Sequence, residues 1–284
     1  MRLLLVAVGL IVACGDTISP AGTPDAAAVD APHMMVDAAP PMPDADPTSR
    51  PGWELVWHDE FDGAGAPNPA NWGYEVGYLR NNEQQYYTDD RRENARVENG
   101  SLVIEARNDN FDGHAITSAS LTTAGKASFR YGRIEVRAKI PTGNGTWPAI
   151  WTLGTNIGDV GWPTCGEIDI MENVGFVPPT IYGTVHMGAG AHGGNVDITT
   201  PWTDFHVYAV EWYTDRIDFF VDDQKYFTYL NDGSGTASWP FDADQYLILN
   251  LAIGGSWGGQ MGVDLSLFPH LYYIDYVRVY RKQP

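Results

Sequence analysis

"RIEVRAKI", residues 133–140, alternates without a break: Ile134, Val136, Ala138 and Ile140 are apolar, and Arg133, Glu135, Arg137 and Lys139 between them are charged. Successive side chains of a strand point to opposite faces, so a period of two describes a strand with one face on a core and one in water. Outward in both directions the same kind of segment returns, in "SLVIEARN", "GEIDIM", "HVYAVEWY", "RIDFFVDD", "YLILNLAIGG" and "YYIDYVRVY", separated by Gly, Asn, Asp and Pro. No stretch sustains a helical period. Many short strands without helices predict an all-β fold, an antiparallel sandwich of two large packed sheets. The first and last strand candidates, around Trp57 and Val277, are expected to pair and close it.

The pattern begins at Trp53, so residues 51–284 are read as one domain, long enough to bury a sizeable core. Ten Trp, fifteen Tyr and abundant Gly suit a turn-rich β fold. Ahead of it, "MRLLLVAVGLIVA", residues 1–13, has one Arg, a short apolar run and small residues before Cys14. That is the layout of a bacterial export signal, too short to span as a helix. Ile11-Val12-Ala13-Cys14 resembles a lipobox, which implies a lipidated Cys14 at the mature N-terminus; the alternative is an ordinary cleaved signal with an incidental Cys. Residues 14–50 are mostly Ala, Pro and Asp, which cannot bury enough apolar area to offset the entropy of ordering, and they read as a disordered tether. The implied location is that of an exported bacterial lipoprotein, periplasmic, on the cell surface or released, touching the membrane only through Cys14. Cys165 is then left alone, cannot make an internal disulfide, and reads as a small buried packing residue.

The formal charge is −19; six Asp against Arg2 and Arg50 put −4 in residues 1–50 and leave −15 on the domain. Such a body repels nucleic acid and anionic lipid and suits a neutral or cationic ligand.

"GEIDIMENVG", residues 166–175, sets three carboxylates, Glu167, Asp169 and Glu172, into six positions. In unbroken register Glu172 would be driven into the core, where an unpaired carboxylate costs several kcal/mol. A β-bulge at Ile170 or Met171 removes the conflict by returning Glu172 to the face of the other two. Three carboxylates on one face raise at least one pKa, which supplies the acid and base that glycosidic cleavage needs. An acidic solvated edge or a Ca²⁺ site are the other readings of the hexapeptide alone. Trp147 and Trp151 in "GTWPAIWTLG", Trp162 in "GWPTCG" and Trp257 in "GGSWGG" stand in Gly- and Pro-rich settings and are read as platforms lining a sugar cleft.

These blocks, with "WELVWHDEFDG", "NNEQQYYTDDRRENARVENGSLVIEAR" and "IDYVRVY", resemble the laminarinase-type branch of glycoside hydrolase family 16 over Trp53 to Arg281. The resemblance implies a β-jelly-roll of two curved antiparallel sheets with a concave substrate cleft, and a retaining endo-1,3-β-glucanase acting on laminarin-type or mixed-linkage β-glucan as a monomer. It implies Glu167 as nucleophile, Glu172 as general acid/base and Asp169 as the residue that tunes the pair. His186 resembles a position near the acid/base, and Asn82 and Glu83 resemble cleft residues. Glu60, the Gly100 carbonyl and Asp275 resemble the ligands of a structural Ca²⁺; Glu60 and Asp275 are alternatively read as partners of Arg278 or Arg281. No cofactor is implied for the chemistry. Agarases and carrageenases share the bulge, but the acidic charge disfavours a sulfated substrate. A non-catalytic β-glucan-binding protein on the same sandwich is the alternative from another class, and the presence of both Glu167 and Glu172 argues against it.

Overall fold

The computed structural model describes residues 49–284; the export signal, Cys14 and nearly all of the tether lie outside the described residues. Among the described residues there are seventeen strands, one four-residue α-helix, Ile157–Val160, and one 3₁₀ turn, Leu265–Leu267. An eight-stranded sheet runs in the order β15 (Gln224–Leu230), β14 (Arg216–Val221), β13 (His206–Trp212), β8 (Gly132–Lys139), β17 (His270–Lys282), β5 (Ser101–Ala106) and β4 (Ala95–Glu98), with β1 (Trp53–Asp59) also paired to β17. A seven-stranded sheet runs β12 (Gly190–Asp197), β11 (Thr180–Met187), β10 (Glu167–Glu172), β9 (Thr146–Gly154), β16 (Gln245–Ile253), β7 (Ser120–Thr122) and β2 (Gly73–Glu75). The short strands β3 (Tyr86–Tyr87) and β6 (Thr117–Ser118) pair in parallel; the pairings within both large sheets are antiparallel.

The predicted closure is present: β1 lies antiparallel to β17, with Trp57 opposite Val279 and Asp59 opposite Val277. One apolar cluster draws on both sheets, with Leu102, Val136, Val210 and Val277 from the eight-stranded sheet and Ile168, Val185 and Leu249 from the seven-stranded one. Burying such side chains is worth about 1.5–3 kcal/mol each relative to leaving them in water, which is what holds two one-sided sheets face to face.

The apolar half of residues 133–140, Ile134, Val136 and Ala138, is buried as expected, but the charged half is not a uniformly wet face: Arg133 is 1% exposed and Glu135 3%. Arg133 donates to Glu135 (2.8 Å), Glu211 (3.3 Å) and Asp223 (2.7 Å), while Arg50 adds a 3.0 Å bond to Glu135 and the Tyr280 hydroxyl another at 3.3 Å. A buried charge persists only when paired and hydrogen-bonded, and neighbouring strands supply the partners here. Only Arg137 and Lys139 keep the partial exposure that alternation implies.

Candidate active site

The bulge is where the carboxylates require it. Against β9, Asp169 pairs with Trp151 and Met171 with Ile150, so Ile170 has no partner of its own; against β11, Asp169 pairs with Thr184 and Glu172 with Tyr182. Ile170 and Met171, adjacent in sequence, are both buried in the shared core, and Glu172 emerges on the face of Glu167 and Asp169. Trp147, Ala149, Trp151 and Leu153 occupy the same face of β9 by their period of two, so each carboxylate has an indole or apolar wall beside it.

Each glutamate accepts one indole N–H. Trp162 Nε1 donates to Glu167 Oε2 and Trp147 Nε1 to Glu172 Oε1, both at 2.9 Å. Trp162, 56% exposed, is an open platform at the Glu167 end. At the Glu172 end Trp257 stands edge-on to Trp147 (5.6 Å) and to Tyr182 (4.8 Å). Trp151 is built in rather than free: its Nε1 donates to Asn250 Oδ1 at 2.8 Å, and the Arg80 guanidinium covers its ring at 4.8 Å.

His186 stands on β11. It lies directly across the ladder from Glu167, with Nε2 3.1 Å from Asp169 Oδ2 and 3.8 Å from Glu167 Oε1. Register makes it a direct neighbour of the nucleophile candidate and Asp169, and its charge also reaches Glu172, the acid/base candidate it was expected near.

Asn82 is exposed in the left-handed region, φ 52°, and Glu83 is buried beside the end of β16, where its backbone bridges to Gly254. Glu83 accepts from Gln85 (2.7 Å), Tyr87 (3.2 Å) and Asn81 (3.2 Å). The Tyr87 hydroxyl in turn accepts from Asn250 at 3.0 Å, joining Glu83 to Trp151. Gly255, at φ 73°, lets this loop lie against the cleft: a Cβ there would stand 3.0 Å from the Asn81 carbonyl oxygen and 3.3 Å from the Trp147 ring. Arg80, Tyr87 and Asn250 were absent from the candidates drawn from sequence. Asn250 had a signal, a lone amide inside the apolar run "LILNLAIGG"; Arg80 and Tyr87 had none, because their role arises from a loop folding across β9 and β16.

Burial is the main cause raising all three carboxyl pKa values. Glu167 is pushed up to about 8 by burial and the Asp169 charge, opposed by His186 and the Trp162 bond. Glu172 is pushed up to about 7 by burial, with the Trp147 bond opposing and the Glu167 charge adding. Asp169 is raised well above the usual carboxyl range by burial and the Glu172 charge. The cluster therefore holds protons at neutral pH, and its titration belongs to the group of three. Stability should register this. An unfolded Glu gives up its proton near pH ~4.3, whereas folded Glu172 keeps it until about 7. Between those values the unfolded state binds fewer protons, so stability falls as pH rises. Glu172→Gln is expected to raise Tm, by more at pH 8 than at pH 5; thermal scans at the two pH values check it, and an equal gap would count against the burial cost.

Cys165 is buried against Ala149, Trp151, Leu153 and Ile248, and burial raises its thiol pKa, as a packing residue requires. The Ca²⁺ candidates sit in the other sheet. Glu60 follows the end of β1, where Asp59 pairs with Val277, and Gly100 precedes β5, where Leu102 pairs with Ile274; Asp275 lies on β17 between those register points. Register thus places the three positions on or beside the paired strands β1, β17 and β5. Each carboxylate also holds an arginine: Arg278 donates to both Glu60 oxygens (2.9 and 2.7 Å), and Arg137 donates to Asp275 (2.6 Å). A bound cation would have to exchange with these guanidinium groups.

Two sheets, a bulged carboxylate strand and a tryptophan-lined face are the setting in which comparison with known proteins carries weight. Residues 82–278 match Glycosyl hydrolases family 16. The chain belongs to this family. A beta-glucanase of Rhodothermus marinus is 51% identical over 246 residues, covering 81% of this chain and 86% of the relative. The X-ray structure of the laminarinase from Rhodothermus marinus superposes with a TM-score of 0.80 at 50% identity, over 82% of this chain and 98% of that one, so the family-16 jelly-roll is the fold here. A beta-1,3-glucan-binding protein of Penaeus monodon is 35% identical over 183 residues, 50% of this chain and 48% of that protein.

Proposed function

We propose that this family-16 protein is an endo-acting β-1,3-glucanase that cleaves with retention through a glycosyl-enzyme intermediate, and that it also accepts mixed-linkage β-glucan next to a 3-linked residue. The observation that carries the reading is the bulge in β10, which spends two consecutive core side chains to hold Glu172 on the face of Glu167 and Asp169. Glu172, protonated because it is buried, gives its proton to the departing glycosidic oxygen while Glu167 attacks the anomeric carbon. The Trp162 N–H orients Glu167; for the attack the proton of the Glu167–Asp169 pair must sit on Asp169, which leaves Glu167 as the carboxylate. Deprotonated Glu172 then takes a proton from the water that opens the intermediate. Exposed Trp162 and half-buried Trp257 offer faces to successive pyranose rings, and the acidic surface favours a neutral glucan over a sulfated one.

The glucan-binding alternative has a relative of that name, but recognition alone gains nothing from three desolvated carboxylates whose ionisation costs stability. Proton NMR of laminarin digested by the purified protein tests both readings at once. The first-formed reducing ends are expected to be β; α-ends would mean inversion, and no cleavage would mean a binding protein.

Two accessory roles are proposed with their tests. Ca²⁺ at Glu60, the Gly100 carbonyl and Asp275 would tie β1, β5 and β17 together, so added Ca²⁺ is expected to raise Tm more than turnover. Loss of turnover in EDTA while the fold survives would contradict a purely structural ion. Lipidation of Cys14 predicts that globomycin accumulates the precursor in the native host; a mature N-terminus downstream of Cys14 would exclude it.

A further inference from the structure

We propose that Glu167, Asp169 and His186 form a Zn²⁺ site, so that a divalent cation with affinity for imidazole occupies the cleft in competition with glucan. One ligand atom from each of the three lies within 4.8 Å of the other two. His186 Nε2 is 3.1 Å from Asp169 Oδ2 and 3.8 Å from Glu167 Oε1. A tetrahedral Zn²⁺ with bonds of about 2.0–2.2 Å separates its ligands by ~3.3–3.6 Å, a spacing these pairs bracket.

A second observation points to a ligand. Asp169 is only 3% exposed and its Oδ2 makes no hydrogen bond; the polar atom that approaches it, His186 Nε2 at 3.1 Å, is itself one of the three proposed ligands. A buried carboxylate oxygen without a donor is costly, and a cation would satisfy it. Trp162 bonds the other oxygen of Glu167, Oε2, which orients the carboxylate and leaves Oε1 directed at His186, the outer-shell arrangement metal ligands use. Arg80, whose charge reaches Glu167, is held by Glu75 and covers Trp151.

Donor chemistry selects the ion. One imidazole nitrogen with two carboxylate oxygens suits Zn²⁺, whereas Ca²⁺ and Mg²⁺ take six or more oxygens. The net charge of the chain, −19, raises the local concentration of any cation. The site rests on geometry alone; the inhibition that follows rests on the proposed role of Glu167 as nucleophile.

Equilibrium dialysis of the full chain against ZnCl₂, with metal analysis, tests the site apart from activity. One Zn²⁺ per chain is expected, with a Tm rise, and His186→Ala and Asp169→Asn are each expected to weaken binding at least tenfold while keeping the β-sheet circular dichroism. Absence of binding at 1 mM ZnCl₂, or binding unchanged in both variants, would overturn the site. Laminarin hydrolysis is expected to be inhibited competitively and restored by EDTA. Zn²⁺ held by these residues without slowing hydrolysis would overturn the role given to Glu167 and leave the site standing.

Discussion

Glu167→Gln is expected to lose hydrolysis of laminarin and of an activated aryl β-laminaribioside alike, by roughly 10⁴-fold or more. An amide cannot form the glycosyl ester, so the quality of the leaving group is irrelevant. The substitution keeps the size of the side chain and an oxygen to accept the Trp162 N–H, which otherwise bonds Glu167 at 2.9 Å, so the platform beside it should survive. Kinetics on both substrates, with a melting curve, check the outcome. Residual turnover of the aryl substrate within tenfold of the parent would assign the nucleophile elsewhere.

The companion substitution fails differently. Glu172→Gln is expected to slow laminarin cleavage about 10²–10⁴-fold, the range general acid catalysis supplies, because a sugar leaves poorly without a proton. An aryl glycoside with an acidic phenol needs no such proton and should still form the glycosyl-enzyme, which then accumulates for want of a base. Azide, a nucleophile that needs no base, is expected to restore turnover and yield a β-glycosyl azide. The motive is geometric: the bulge sets Glu172 opposite Tyr182, on the face of Glu167, with its own indole donor. If the aryl substrate is lost as completely as in Glu167→Gln, or if the azide is α, the two roles are misassigned.

Much of this site was legible because its signals are local. The three carboxylates lie within six residues, and burial of a charge is costly enough that their spacing alone implies the bulge. Trp147, on the strand next to β10, needed only the period of two to be set on the same face. His186 was legible as a residue near the acid/base, and its charge does reach Glu172; its direct contacts with Asp169 and Glu167 were not legible. Those contacts depend on the register between β10 and β11, which sets His186 opposite Glu167. Arg80 and Tyr87 were missed because they lie in the run preceding β4 that reaches the cleft only through its packing on β16.

By itself the sequence determined the strand-rich sandwich, its closure by the first and last strands, and the common face of Glu167, Asp169 and Glu172. Each follows from a side-chain period of two and from the cost of burying what cannot be buried, and both act over a few residues. Tertiary structure alone decided that Arg133 and Glu135 lie buried in an ionic cluster rather than in water, because their partners Arg50, Glu211, Asp223 and Tyr280 come from distant parts of the chain. It also decided that Trp151 is clasped by Arg80 and Asn250 while Trp162 stands open, and that His186 faces Asp169. A residue's alternation predicts which way it points. What it meets there depends on strands and loops brought together from far along the chain, which no local pattern encodes.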